Sequence, residues 1–155
     1  MMTLSLIGIG CGDPGQLTRA AIGAINAADL VLIPRKGTAK SDLADLRRTI
    51  CADVLTSDKT IIAEFDLPVR DAGEADYRKG VDDWHDAVAA TWSKAIANHL
   101  EGEGKVALLI WGDPSLYDSS LRIARRLNPL PDIAVVPGIT SIQALCAAHA
   151  LPLND

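Results

Sequence analysis

The sequence predicts one α/β domain over residues 1–155, an open parallel sheet of five strands with helices on both faces. Five short aliphatic runs recur along the chain, and longer segments with helical periodicity separate them. The runs are largely apolar, as a buried parallel sheet requires. Composition agrees: 48% of the 155 residues are hydrophobic, only 4% are aromatic and 23% are charged. That length supports one core and is short for two.

Each element has its own local signal. Residues 4–9 form the first strand, and the Gly-rich turn Gly8-Ile-Gly10-Cys-Gly12-Asp13-Pro14-Gly15 ends it. Leu17, Ala20, Ala21, Ala24, Ile25 and Ala28 then mark one face of a helix. Residues 29–34 are the second strand, closed by Pro34. Ser41 is placed to cap a helix with the stripe Leu43, Leu46, Ile50, Val54 and Leu55. Residues 60–65 are the third strand. From Glu74 to Leu100, apolar residues at 77, 81, 84, 88, 92, 96 and 100 predict a long helix, which the Gly102/Gly104 turn closes. Residues 105–111 are the strongest strand. Asp113 and Pro114 are read as cap and first residue of a helix carrying Leu116, Leu121, Ile123, Ala124 and Leu127. Residues 133–136 are the fifth strand. A last helix runs from Thr140 to Ala150, with Thr140 and Gln143 fitting a capping box.

Several function classes recede at this point. A formal net charge of -5 argues against a nucleic-acid or anionic-membrane surface. No apolar run approaches the ~20 residues that span a bilayer, and the N-terminus lacks the basic region of a signal peptide. Cys11, Cys51 and Cys146 are odd in number and widely spaced, so no disulfide or zinc framework is expected. His85, His99 and His149 form no metal pair. A cytoplasmic, metal-free domain is the expectation.

Ligands of open α/β sheets bind at the carboxyl ends of the strands, where three turns here carry chemistry. Gly10-x-Gly12-x-x-Gly15 satisfies the dinucleotide pattern, yet the second strand ends in Pro34, Arg35 and Lys36 and not in a ribose-binding acid. An NADP-binding Rossmann oxidoreductase therefore stays open as an alternative. Trp111-Gly112-Asp113-Pro114 and Val136-Pro137-Gly138-Ile139-Thr140-Ser141 read singly as helix caps after buried strands. Each turn alone is ambiguous.

In this order, the Gly-x-Gly-x-Gly-Asp-Pro turn with Leu17-Thr18, the Gly-Asp-Pro turn, and Pro137-Gly-Ile-Thr-Ser141 followed by Leu151-Pro-Leu153 resemble the tetrapyrrole methylases. The resemblance spans nearly the whole chain and implies an S-adenosylmethionine-dependent methyltransferase of tetrapyrrole synthesis. It places the cofactor against Cys11, Trp111, Gly112, Asp113, Leu116, Thr140 and Ser141. Gly10, Gly12 and Asp13 of the first turn would face the tetrapyrrole. Further stretches, Pro34-Arg-Lys-Gly37 with Lys40-Ser-Asp-Leu43, Glu64 to Asp71, Val81 to Asp86 and Trp111 to Asp118, are similar to the cobalamin-pathway branch that methylates precorrin-5 at C1 with loss of acetate. Losing acetate requires a water and a base, for which Asp13, Asp118 and His85 are candidates. His85, among Asp82, Asp83 and Asp86, is expected to be solvated or carboxylate-paired. Arg35 and Lys36, with Lys40, Arg47 and Arg48, form the densest basic region. They either hold carboxylate arms of the substrate or make a solvated helix face. The resemblance also implies a second domain after Leu151-Pro-Leu153, absent from these 155 residues, so a non-catalytic module is the second alternative. Surface left uncovered at the strand ends is expected to favour self-association, most simply as a homodimer.

Overall fold

Five parallel strands run in the order β3-β2-β4-β1-β5 in the computed structural model, which describes residues 1–36, 41–70 and 76–154. The strands are β1 (Met2–Gly8), β2 (Leu30–Arg35), β3 (Ile61–Asp66), β4 (Gly104–Ile110) and β5 (Asp132–Val136). The helices are α1 (Arg19–Asn26), α2 (Ser41–Val54), α3 (Tyr77–Ala97), α4 (Ser120–Ala124) and α5 (Ser141–Ala148). In the centre, β1 pairs with β4 on one side and β5 on the other, Leu4 lying opposite both Val106 and Ile133.

Side chains alternate across the sheet, and both faces are apolar. Leu4, Leu6, Leu30, Leu32, Val106 and Leu108 meet Val88, Trp92 and Ile96 of α3 and Ile123 of α4. Ile7, Val31, Ile33, Ala107 and Leu109 meet Ala21 and Ile25 of α1 and Ala44, Ile50 and Cys51 of α2. Double coverage is why β1, β2 and β4 read as nearly unbroken aliphatic runs; the edge strands β3 and β5 are covered less, with Ile61, Ile62 and Val135 exposed. Burial also pushes the Cys51 thiol up to about 11, so it serves as a small apolar group. Among the described residues, no helix is long and apolar enough to cross a membrane.

Several local expectations change in context. Pro34 does not end β2, which runs on to pair Arg35 with Asp66. The pairing of β2 with β4 stops at Leu32, so the missing proline N–H interrupts no ladder on that side. Leu43 and Leu46 are 47% and 40% exposed, while Ala44, Arg47, Ile50 and Cys51 turn inward. The α2 stripe is thus rotated from the one drawn on its leucines. No helix starts at Pro114. Tyr117 has φ 56, a left-handed conformation that no helix contains, and α4 begins after Asp118, whose Oδ1 accepts from Ser120 N–H at 2.6 Å. α3 starts behind Asp76, which accepts from Arg78 and Lys79. The earlier start near Glu74, Ser41's capping side chain, and Gly37, Lys40 and Asp71 lie outside what is described. His85 is buried at 3% exposure, its Nδ1 without a partner among the described residues. The carboxylates of Asp82 and Asp86 pair with Arg126 instead, each at 2.7 Å. Solvation of His85 was the wrong expectation because the residue falls on the inner face of α3.

Candidate functional site

The chain leaves β1 toward β2 on one side of the sheet and leaves β4 toward β5 on the other. Between two such strands the connections part and open a crevice. The turns after β1, β4 and β5 all meet there.

Contact between them is as close as backbones allow. A Cβ built on Gly138 would lie 2.1 Å from Gly112 O, and one on Gly8 would lie 2.6 Å from Gly138 N. Gly112 N–H donates to Gly10 O at 2.7 Å and Gly10 N–H donates back to Gly112 O at 3.3 Å, a single bridge between the first two turns. Gly10 and Gly112 reach it with φ of 73° and 64°, which suits residues without a Cβ. Asp113 joins the second turn to the third: Oδ1 accepts from Ser115 N–H at 2.8 Å and Oδ2 from Gly138 N–H at 2.9 Å. Thr140 caps α5 in a reciprocal capping box with Gln143, and Cys11 Sγ lies 3.6 Å from Ile139 O.

Above this floor is a cavity of about 410 Å³, lined by Gly10, Cys11, Trp111, Gly112, Asp113, Leu116, Thr140 and Ser141, together with Leu43, Leu46, Tyr117 and Ile142. All the residues expected to hold a cofactor are therefore neighbours. Gly12 and Asp13 are not part of the lining, and Asp13 accepts from Gly15 N–H at 2.8 Å. Arg35 and Lys36 stand apart at the end of β2, where Arg35 binds Asp66 with Nε and Nη2 and approaches Glu64. Arg48 pairs with Glu64 and Asp45. His85 lies outside the lining too.

Leu43, Leu46, Tyr117 and Ile142 were missed as site residues. The leucines read as core because helical periodicity identifies a stripe without saying which neighbour covers it. Arg47 lies behind the cavity wall, with its guanidinium carbon 4.9 Å from the centroid of the Trp111 ring.

A dinucleotide site does not survive this arrangement. The turn runs into a short 3-10 helix, Pro14–Gln16, and α1 starts only after its Thr18 cap, so no long helix N-terminus faces a diphosphate. β4 also separates β1 from β2, which removes Arg35 from the first turn.

The family model of the tetrapyrrole (corrin/porphyrin) methylases matches residues 3–155, and the chain belongs to that family. Over 99% of its length the chain is 45% identical to a precorrin-6A synthase (deacetylating) of Sinorhizobium sp., covering 60% of that protein. It is 31% identical to a precorrin-2 C(20)-methyltransferase of the same genus, with 95% and 58% covered. Among solved structures, a cobalamin synthesis related protein (CobF) from Corynebacterium diphtheriae matches the whole chain at 36% identity and a TM-score of 0.76, with 60% of that protein covered. The chain thus spans about 60% of the length of the relatives it matches.

Proposed function

We propose that this chain is part of an S-adenosylmethionine-dependent C-methyltransferase that converts precorrin-5 into precorrin-6A, methylating C1 with release of acetate. The observation that carries this is the 45% identity, over nearly the full chain, to a precorrin-6A synthase (deacetylating). The cavity supports it. The lining is mostly apolar, and Trp111 offers a flat face for an adenine or a thioether. Exposed Leu43, Leu46, Leu116, Tyr117 and Ile142 around it suit one face of a large conjugated ring. That apolar rim also favours a reading in which a further domain covers the cleft.

Cys11, Trp111, Gly112, Asp113, Leu116, Thr140 and Ser141 would hold S-adenosylmethionine, which would supply an electrophilic methyl group for an electron-rich macrocycle carbon. The chain's own work is binding, orientation and exclusion of water. The Gly8–Gly112–Gly138 contact keeps the floor rigid. Asp113 holds two turns at a fixed separation, both of its oxygens engaged, and Trp111 with the α2 leucines supplies an apolar wall.

Precorrin-5 incubated with the full-length protein and methyl-labelled S-adenosylmethionine should yield labelled precorrin-6A and one acetate per methyl transferred. Methylation without acetate, or at another carbon, would replace this reading with another methylase of the family. Calorimetric titration should show S-adenosylhomocysteine binding and no NADPH binding; the reverse outcome would restore the oxidoreductase.

A further inference from the structure

A second cavity of about 170 Å³ lies on the other side of Trp111, with Arg47, Asp118, Ser120 and Trp92 also in its wall. Arg47 is 8% exposed. Its Nε donates to Leu109 O at 3.0 Å and its Nη1 to Leu43 O at 3.4 Å. No carboxylate among the described residues lies within ion-pair distance of it. A guanidinium has five N–H donors; main-chain carbonyls take two of them, and the positive charge is offset only in part, by Asp118 at longer range and by the Trp111 ring. Buried arginines are ordinarily paired. Trp92 and Trp111 both line the cavity, and neither indole N–H has an acceptor among the described residues. Ser120 is 7% exposed and its hydroxyl makes no hydrogen bond among the described residues. The wall is therefore rich in donors, and Asp118 is its one carboxylate.

We propose that this cavity is a subsite for an acetate-sized carboxylate, held by the free donors of Arg47 and set behind the Trp111 wall of the methylase site. The charge of Arg47 is opposed by burial more than it is supported by Asp118, and its pKa falls to about 10. An incoming anion restores what burial removes. The volume admits a carboxylate on a short arm and excludes a macrocycle. Two sources share this chemistry: a carboxylate side arm of a tetrapyrrole substrate, and free acetate such as a deacetylating reaction releases. Both rest on the methylase reading, whereas the subsite itself does not.

All three tryptophans of the chain, Trp84, Trp92 and Trp111, line this cavity, so indole fluorescence reports on its contents. Sodium acetate titrated at constant ionic strength against sodium chloride should change that fluorescence saturably. A midpoint on the order of 1 mM suits a ligand of so few atoms. Arg47→Gln should abolish the response. Asp118→Asn, which removes the opposing charge, should tighten it by about threefold or more. A response absent from the wild type, or retained unchanged in Arg47→Gln, overturns the proposal. So does weaker binding in Asp118→Asn, which decides the matter alone if Arg47→Gln does not fold. Repeating the titration with uroporphyrin bound separates the sources: competition identifies the side arm, and undiminished acetate binding identifies the released acid. S-adenosylhomocysteine titration tests the methylase reading separately, and acetate binding that survives its failure leaves the subsite standing.

Discussion

At position 138 a single methyl group would lie 2.1 Å from Gly112 O, about half of an ordinary van der Waals separation. Three turns converge there, and none can retreat without disturbing a strand end. Gly138→Ala should therefore cost about 3 kcal/mol, a fall in Tm of roughly 6–12 °C for a chain of this size, read by thermal unfolding. An unchanged Tm would mean that the floor is looser than its distances imply. Asp113 is the polar counterpart. Read singly it is a helix cap; in the fold it accepts from Gly138, 25 positions away, and no local pattern could signal that bond.

Among the elements, α2 and α3 separate structural from site residues. Since Leu43 and Leu46 face the cavity and not the core, replacing both with serine should alter stability by no more than about 0.5 kcal/mol per site while weakening binding of S-adenosylhomocysteine. Ile50→Ala, at a residue 3% exposed, should cost about 2–5 kcal/mol. Equal losses in denaturant titrations of the two variants would contradict the rotated stripe. In α3, burial, aided by Arg126 and Arg122, holds the His85 imidazole below its ordinary pKa. The unfolded chain therefore takes up that proton at a higher pH than the folded chain does. The contribution to stability is intact above the ordinary imidazole value and is lost as pH falls below it. Denaturant midpoints should decline between about pH 7 and pH 5.5, and His85→Gln should flatten that part of the profile. A slope that survives the substitution would assign the effect to other groups.

For the molecule as a whole, the site exists only where β1, β4 and β5 end together. A ligand bound there should stabilise the whole fold, by about 2.7 kcal/mol at S-adenosylhomocysteine concentrations 100-fold above Kd. That thermal shift should vanish in Gly138→Ala even where the variant remains folded, and a retained shift would place the ligand elsewhere. The sequence by itself determined the succession of strands and helices, the capping box of Thr140 and Gln143, and the three glycine turns, because periodicity and turn chemistry act over a few residues. The motifs also pointed to the family, and with it to most of the residues that line the larger cavity, though not to Leu43, Leu46, Tyr117 and Ile142. Only the tertiary structure decided the strand order β3-β2-β4-β1-β5, the face α2 turns inward, the burial of His85, and the place of Arg47 behind Trp111. Each of these depends on which distant segments pair, since burial and charge compensation are properties of neighbours in space.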